Sequence, residues 1–475
     1  MEFLTKLNDI VWGIPTIVLI MGVGIMLSFR LGFLQFRKLG KALNYMWKNE
    51  DGGEGEVTSF GALCTALSAT IGTGNIVGVA TALIAGGPGA LFWMIIAACF
   101  GMATKYAEGL LAIKYRDYDK ETGHALGGPF LYIEKGMGTQ WRWLAKCFAL
   151  FGVFVALMGI GTMTQVNGIV SAAKTVFDPN GTYTVSLFGN DYSWATLVTA
   201  VIITVLVGLV IIGGIQRIAS VTTIVVPFMA IAYIVICGCI LIYNFKEIPS
   251  AIGTIVSSAF GLKAAAGGAL GAMLVALQKG VARGIFSNEA GLGSAPIAAA
   301  AAQTKECVRQ GLVSMTGTFI DTICICTMTG LAIVVTGAFK PELGLEGVNV
   351  TIYAFGKGLP WSEQVGAIVL LMCLSMFAYT TILGWNYYGA RCLEYLVNST
   401  KLNGGYNLLF LAAVILGPFL SLSAIWTLAD IVNGLMAIPN LIGLFALSGV
   451  VVAETKSYFK RLDAGEVIEF ANREK

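Results

Sequence analysis

The chain has 475 residues, of which 56% are hydrophobic and 12% are charged, and its mean hydropathy is +0.78. Because soluble domains carry about 25% charged residues, this composition predicts an integral membrane protein that crosses the bilayer many times. A net charge of only +3 argues against nucleic-acid binding, and a single histidine without Cys/His metal spacing argues against zinc chemistry.

Charge-poor stretches of the sequence predict about eleven membrane-spanning helices. An all-α polytopic fold is expected, because a membrane barrel would show segments of about ten residues with alternating polarity, and these are absent. The first stretch follows Glu2, Lys6 and Asp9, which predicts a permanent span and not a cleaved leader. The expected limits of the spans are 13–30, 60–85, 89–114, 144–175, 194–214, 218–243, 264–303, 307–337, 364–395, 405–422 and 424–452.

Lysine and arginine predict the orientation of these helices in the membrane. They concentrate in the 30–59 and 105–146 segments and in the C-terminal tail, all on one side. Because cytoplasmic loops collect positive charge, we expect a plasma (inner) membrane protein with its N-terminus outside and its C-terminus in the cytoplasm. The opposite side carries only six such residues, which are Lys6, Lys174, Lys246, Lys263, Lys340 and Lys357.

Two predicted spans are interrupted by glycines and polar residues. The first contains Ala69-Thr-Ile-Gly-Thr-Gly-Asn-Ile76, and the second runs from Ala276 to Gly293. The ten spans after the first one divide into two sets of five with opposite orientation, and each set opens with an interrupted span, as in inverted-repeat transporters. This pattern predicts an N-terminal helix and linker (1–59), two five-helix repeats (60–243 and 264–452) and a cytoplasmic tail (453–475).

The residues of the first interruption predict a binding site. Irregular backbone at membrane depth is tolerated only where it is buried in protein or lines a cavity. At Thr73, Gly74 and Asn75 we expect free backbone N–H groups that receive a carboxylate, since helix N-termini bind anions. The alternative is a packing face of small residues, because Gly74 and Gly78 are four residues apart. Packing does not explain the polar Thr73 and Asn75, so binding is favoured.

Uncharged polar residues in other apolar spans have two interpretations each. The hydroxyls of Thr380 and Thr381 suit the oxygen shell of a Na⁺ ion, or a bond to the preceding turn of their own helix. The side chains of Gln165 and Asn167 suit the recognition of a neutral zwitterion, or a contact between helices. The sequence alone leaves both choices open.

Charged residues inside the spans are equally ambiguous. Lys279, Arg283 and Glu289 suit an internal gate of paired charges, while the alternative is that the cations extend to the membrane surface. Asp321 and Asp430 are lone acids that suit a proton or cation site, or a buried carboxyl satisfied by hydroxyls and backbone.

Several longer strings resemble the alanine/glycine:cation symporter family, a group of sodium:amino-acid symporters with the LeuT-type fold. The likeness covers the chain from Trp12 to about Val452. The strings are Ala69-Thr-Ile-Gly-Thr-Gly-Asn75, Ala85-Gly-Gly-Pro-Gly-Ala90, Gly101-Met-Ala-Thr-Lys-Tyr-Ala-Glu108, Gly127-Gly-Pro129, Arg283-Gly-Ile-Phe-Ser-Asn-Glu-Ala-Gly-Leu-Gly-Ser-Ala-Pro296 and Ala437-Ile-Pro-Asn-Leu441.

This resemblance implies roles for individual residues. The backbone amides of Thr73 and Gly74 would hold the carboxylate of the substrate. The rest of the substrate pocket would be lined by Asn75, Gln165, Gln278, Gly280, Phe286 and Trp385. One Na⁺ ion would lie among the carbonyls of Ser68, Ile71 and Phe377 and the hydroxyls of Thr380 and Thr381.

The resemblance also implies a function. A symporter of this kind would import a small neutral amino acid, alanine or glycine, together with Na⁺ by alternating access. Na⁺ would be the coupling ion, with no organic cofactor and no enzymatic reaction, and the chain is expected to act as a monomer in the lipid bilayer. Proton coupling through Asp321 or Asp430 and a preference for glutamine remain alternatives. A channel or an amino-acid sensor is less favoured.

Overall fold

A computed structural model describes residues 2–48, 53–118, 123–187, 189–261, 268–420 and 422–467. The predicted start of the second repeat at 264 and the last residues of the predicted tail, 468–475, lie outside these ranges. The helices are α1 (Glu2–Val11), α2 (Ile14–Arg30), α3 (Leu34–Arg37), α4 (Leu39–Trp47), α5 (Ser59–Thr70), α6 (Val79–Gly86), α7 (Gly89–Lys114), α8 (Pro129–Leu131), α9 (Arg142–Met158), α10 (Met163–Phe177), α11 (Trp194–Ile211), α12 (Gly214–Tyr243), α13 (Ile248–Ala259), α14 (Ala269–Asn288), α15 (Ala295–Ala299), α16 (Cys307–Thr318), α17 (Thr327–Val335), α18 (Val348–Gly358), α19 (Glu363–Val397), α20 (Asn403–Leu416) and α21 (Leu422–Asp463).

Short non-α segments complete the chain. Two antiparallel hairpins pair β1 (Asp117–Tyr118) with β2 (Ala125–Leu126) and β3 (Thr184–Leu187) with β4 (Asn190–Ser193). Wider π-helical turns cover Gly74–Gly78, Tyr132–Gly136 and Phe319–Cys326. Tighter 3₁₀ turns cover Thr139–Trp141, Phe245–Glu247, Pro341–Leu343 and Gly417–Phe419.

Within the described ranges, nine helical segments are long and apolar enough to cross a membrane. A tenth span consists of Ser59–Thr70 followed by Gly74–Gly86, which are bent against each other by 51°. Asn403–Phe419 is a shorter apolar helix. The predicted all-α membrane fold is therefore confirmed, with ten crossing segments and one shorter helix in place of about eleven full spans.

The first predicted interruption is present where the sequence places it. Helix α5 begins with the Thr58 hydroxyl accepting from the Gly61 N–H at 3.0 Å, and it ends at Thr70. The chain resumes helical structure at Gly74, in the π-helical turn that leads into α6. Two glycines within three residues weaken an α-helix, and this explains why the helix stops here.

The second interruption falls near the end of the predicted range 276–293. Helix α14 is continuous through Gly280, and the break comes at Glu289–Ser294, where Glu289 has φ 57° and Gly291 has φ 88°. Gly280 allows α7 to approach, because a Cβ there would lie 2.2 Å from the Ala90 carbonyl oxygen. A glycine needed for helix packing looks the same in sequence as one that ends a helix.

A third interruption was not expected. The predicted span 144–175 is divided into α9 and α10 by residues 159–162. A Cβ at Gly161 would lie 2.7 Å from the Trp385 Cβ of α19, so glycine is required for this close approach. The Thr162 hydroxyl donates to the Leu157 carbonyl oxygen at 2.7 Å, which satisfies one carbonyl that the break leaves free.

We expect Gly280→Ala to destabilise the protein by about 1–3 kcal/mol, because the added methyl group overpacks the contact between α14 and α7. The thermal unfolding of the purified protein in detergent measures this effect. Gly271→Ala is the matched control, since it lies in the same helix and a Cβ there meets nothing within 4 Å. Equal unfolding temperatures for the two variants would contradict the assigned packing role.

Candidate functional site

The first break turns backbone carbonyls toward α19. Helix α5 ends at Thr70, so the carbonyls of its last turn lack helical partners. The Thr381 hydroxyl oxygen lies 2.9 Å from the Ser68 carbonyl oxygen and 3.2 Å from that of Ile71. It also lies 3.0 Å from the Phe377 carbonyl oxygen, one turn earlier in α19. Four oxygens from two helices therefore meet around Thr381.

Thr380 points in a different direction. Its hydroxyl lies 3.0 Å from the Phe377 carbonyl oxygen and 3.1 Å from that of Met376, both within α19. It also lies 3.6 Å from the Met229 sulfur of α12. Of the predicted Na⁺ ligands, the structure groups Ser68, Ile71, Phe377 and Thr381. Thr380 shares only the Phe377 carbonyl with that group.

The backbone N–H groups of the break meet side-chain oxygens. Thr73 N–H donates to Gln165 Oε1 at 2.9 Å, and Gly72 N–H donates to Asn75 Oδ1 at 2.9 Å. Gln165 is held by a bond from its Nε2 to the Ile160 carbonyl oxygen in the α9–α10 break, at 2.8 Å. The Thr73 hydroxyl is buried and has no hydrogen-bond partner in the described part of the chain. The predicted residues Thr73 and Gln165 are thus neighbours, and the hydroxyl of Thr73 itself is unpaired.

Close packing at the break requires glycine. A Cβ at Gly72 would lie 2.5 Å from the Thr381 hydroxyl oxygen and 2.8 Å from Gln165 Oε1. A Cβ at Gly74 would lie 3.3 Å from the Phe286 ring of α14. Glycine at 72 lets both polar side chains reach the backbone, and the predicted residue Phe286 does lie against the first break.

Asp321 joins the first break to α14. It is fully buried in the π-helical turn Phe319–Cys326. Its Oδ1 accepts from the Asn75 side-chain amide at 2.7 Å, and its Oδ2 accepts from the Ser287 hydroxyl at 2.9 Å. Both polar ends of the Asn75 side chain are therefore engaged with protein atoms. Sequence reasoning singled out Asp321 and Asn75 separately, but it missed Ser287.

The second break is held by Glu289. Its carboxylate accepts from Trp385 Nε1 at 2.9 Å and from the Ser294 hydroxyl at 2.5 Å. The predicted pairing of Arg283 with Glu289 is wrong, because Glu289 lies beyond the last residue of α14 with φ 57° and its carboxylate contacts Trp385 and Ser294. Lys279, the third member of the predicted gate, is exposed.

Arg283 instead pairs with Asp430 of α21. Its guanidinium donates to both carboxylate oxygens, at 2.9 and 2.8 Å. It also lies 5.4 and 5.2 Å from the ring centroids of Phe286 and Trp426, which stack on each other at 5.0 Å. Trp426 was missed, although it stands four residues before Asp430 on one face of α21. The ion pair and the two rings form a layer, here called the upper layer, over Gly74.

Besides Glu289, the buried carboxylate of Glu108 contacts the second break, and Asn440 links both to α21. Glu108 Oε1 accepts from the Gly291 N–H at 3.1 Å and from the Asn440 side-chain amide at 2.7 Å. The same Asn440 amide donates to the Gly291 carbonyl oxygen at 2.9 Å, and its Oδ1 accepts from the Tyr132 hydroxyl. Neutral donors therefore bind Oε1 of this carboxylate, as they bind Asp321 and Glu289, whereas the buried Glu108 Oε2 has no hydrogen-bond partner among the described residues.

Two predicted substrate residues belong to other contacts. Gln278 Nε2 donates to the Trp12 carbonyl oxygen at 3.3 Å, and Gly280 packs against Ala90 and Trp93 of α7. The structure therefore places Gln278 against the N-terminal segment and Gly280 against α7.

The segment that follows the second break belongs to a different group of contacts, here called the lower layer. Val57 and Ala302 form a parallel bridge, and the Arg116 guanidinium donates to the Ala302 carbonyl oxygen at 2.9 Å. His124 Nδ1 lies 2.7 Å from the Glu56 carboxylate. Along the chain, Arg283 of the upper layer precedes the second break and Ala302 of the lower layer follows it.

This chain resembles a family of known transporters in sequence. A sequence model of the "Sodium:alanine symporter family" matches residues 1–472. The sodium/alanine symporter AgcS of Methanococcus maripaludis is 47% identical over 467 residues, which cover 96% of this chain and 98% of that protein. The probable sodium/glutamine symporter GlnT of Bacillus subtilis is 37% identical over 463 residues, which cover 97% of this chain and 91% of that protein.

The fold has a counterpart among solved structures. The crystal structure of MhsT in complex with L-phenylalanine, a LeuT-type fold, aligns with 86% of this chain and 99% of that chain. The TM-score is 0.56 and the sequence identity is 12%, so this likeness shows the fold alone. Together with the family match, it confirms the resemblance seen in the motifs: this integral membrane protein is a transporter that belongs to the sodium:alanine symporter family.

Proposed function

We propose that this transporter imports a small neutral amino acid, alanine or glycine, together with Na⁺ by alternating access. The observation that carries the proposal is the group of four oxygens around Thr381. A hydroxyl has one proton, so it can donate to only one of the carbonyls of Ser68, Ile71 and Phe377. The surplus of acceptors in a buried place favours a cation, and hard oxygen ligands suit Na⁺.

The amides of the first break support a site for the substrate carboxylate. Gln165 Oε1 accepts from Thr73 N–H in this structure, and in the proposal a carboxylate oxygen of the substrate replaces it as the acceptor. The unpaired Thr73 hydroxyl offers a second polar contact. The packing of Phe286 against Gly74 and of Thr381 and Gln165 against Gly72 would disfavour a large substrate side chain here. These features favour alanine or glycine.

The two layers support alternating access. In this proposal the upper layer closes the site toward one side of the membrane and the lower layer closes it toward the other, since Arg283 and Ala302 lie before and after the second break. With the N-terminus outside and the C-terminus in the cytoplasm, as the Lys and Arg distribution predicts, the upper layer faces outward. Transport would open each layer in turn, driven by the Na⁺ gradient and by about 2.3 kcal/mol per charge per 100 mV.

Proton coupling is a second candidate because Asp321 touches both broken segments. A carboxylate that accepts from Asn75 and Ser287 would weaken both contacts when it gains a proton. Coupling through Asp430 has less support, because Arg283 neutralises its charge. Glutamine remains an alternative substrate.

Labelled-alanine uptake into proteoliposomes tests the proposal directly. We expect accumulation above equilibrium with an inward Na⁺ gradient and none with K⁺ alone, because the oxygen group selects the cation. A protonophore should leave the Na⁺-driven uptake intact. Uptake that persists without Na⁺ and collapses with the protonophore would favour Asp321, and uptake of glutamine but not alanine would change the substrate.

Thr381→Ala should raise the half-saturating Na⁺ concentration for uptake by about 10- to 100-fold, since a contact to a charged group contributes about 1.5–3 kcal/mol. Na⁺ titrations of uptake measure this shift. Thr381→Ser is the control that keeps the hydroxyl, and Thr73→Ala should shift Na⁺ dependence less, because Thr73 contributes its backbone. Equal Na⁺ titrations for Thr381→Ala and Thr73→Ala would remove Thr381 from the ion site.

Asp430→Asn should lower the maximal rate of alanine uptake by about tenfold, because Arg283 loses the charge that holds the upper layer closed. Equilibrium Na⁺ binding to the purified variant should persist, since the oxygen group is untouched. Asp430→Glu keeps the charge and should retain more activity, and the exchanged pair Arg283→Asp/Asp430→Arg should recover part of it. A wild-type rate in Asp430→Asn would mean that the ion pair is not a gate.

A further inference from the structure

A groove opens between the end of α2 and the C-terminal part of α21, away from the site at the first break. It has a volume of about 690 Å³. Its lining contains one carboxylate, that of Asp463, and five cationic side chains. The cations are Arg30, Arg37, Lys38, Lys456 and Lys460.

Most of these charges are not neutralised by the protein. Arg30 donates to the Ser448 hydroxyl at 2.5 Å, and Lys38 Nζ lies 4.7 Å from the ring centroid of Phe459. In the described part of the chain, the cations of this groove form no ion pair. A concentration of unpaired positive charge in one concave place favours an anionic ligand.

The groove also has an apolar wall, formed by Phe29, Leu31, Leu34, Val452 and Phe459. Phe29 exposes 67% of its surface, and its ring packs edge-on against Phe33 at 5.0 Å. Arg30 is the last residue of the membrane-spanning helix α2. The groove therefore lies where this helix leaves the membrane, on the side that its lysines and arginines predict to be cytoplasmic.

We propose that this groove binds an anionic phospholipid of the cytoplasmic leaflet. The phosphodiester lies between the cations at the start of the chain, Arg37 and Lys38, and those of α21, Lys456 and Lys460. The acyl chains cover the apolar wall at Phe29. Such basic pockets between membrane helices on the cytoplasmic side match anionic headgroups, and a soluble phosphate would leave the apolar wall bare. The bound lipid fastens the N-terminal helix to α21.

Native mass spectrometry of the purified full-length protein in detergent tests this proposal. The probes are phosphatidylglycerol and phosphatidylcholine with identical acyl chains, and soluble glycerol 3-phosphate. We expect phosphatidylglycerol to bind more tightly than phosphatidylcholine. Lys456→Gln/Lys460→Gln should weaken phosphatidylglycerol binding by about 30-fold, as expected for the loss of two cations near a headgroup.

Lys146→Gln/Lys401→Gln is the matched control, because it removes two exposed cations outside the groove. This control should bind phosphatidylglycerol as the wild type does, and size-exclusion chromatography checks that each variant is folded. Equal affinity for the two lipids, or an equal loss in both double variants, would overturn the proposal. Binding of glycerol 3-phosphate as tight as that of phosphatidylglycerol would identify a soluble phosphate ester and overturn it as well. The measurement is independent of transport.

Discussion

The break between Thr70 and Gly74 organises the rest of the buried site. A helix that stops inside a membrane must satisfy its free carbonyl and N–H groups within the protein, because lipid offers no hydrogen bonds. Here the carbonyls of Ser68 and Ile71 turn to the Thr381 hydroxyl, while the N–H of Thr73 turns to Gln165. The carbonyl oxygens therefore meet at Thr381 and the N–H group meets the Gln165 side chain, and the proposed sites for Na⁺ and for the substrate carboxylate rest on these two contacts.

Buried carboxylates then tie the broken segments to their neighbours. Asp321 and Glu289 accept only from neutral donors such as Asn75 and Trp385, and Glu108 does the same with Asn440. Lys105 is buried in the same region without an ion pair in the described residues, so its charge acts on these carboxylates only at longer range. When the helices move, breaking a hydrogen bond to a neutral donor costs less free energy than breaking a buried ion pair, which leaves a charge unpaired.

The sequence predicts the helices and the first break well, for physical reasons. Long apolar runs have no stable form in a membrane except a helix, and packing alone does not explain Thr73 and Asn75 beside Gly74. The second break lies near the end of the predicted range 276–293, because Gly280 serves the approach of α7 and does not end the helix. The third break was missed although Gly159 and Gly161 lie two residues apart in the predicted span 144–175. The pairing of Arg283 with Asp430 joins residues 147 positions apart, which helix periodicity within one span cannot reveal.

The N-terminal segment holds α21, which carries Asp430 of the upper layer, in place. Trp12 Nε1 donates to the Asp430 carbonyl oxygen at 2.7 Å, and a Cβ at Gly434 would lie 2.3 Å from Val11 Cγ1. Nearer the other end of α21, Arg30 contacts Ser448. Helix α21 is thus braced by the N-terminal segment at two depths, whereas α14 ends at a break six residues after Arg283. A movement of α21 that opens the Arg283–Asp430 pair would break these braces, while a movement of α14 would break the Gln278–Trp12 bond and the close contact of Gly280 with α7. Opening the upper layer therefore costs packing contacts on whichever of the two helices moves.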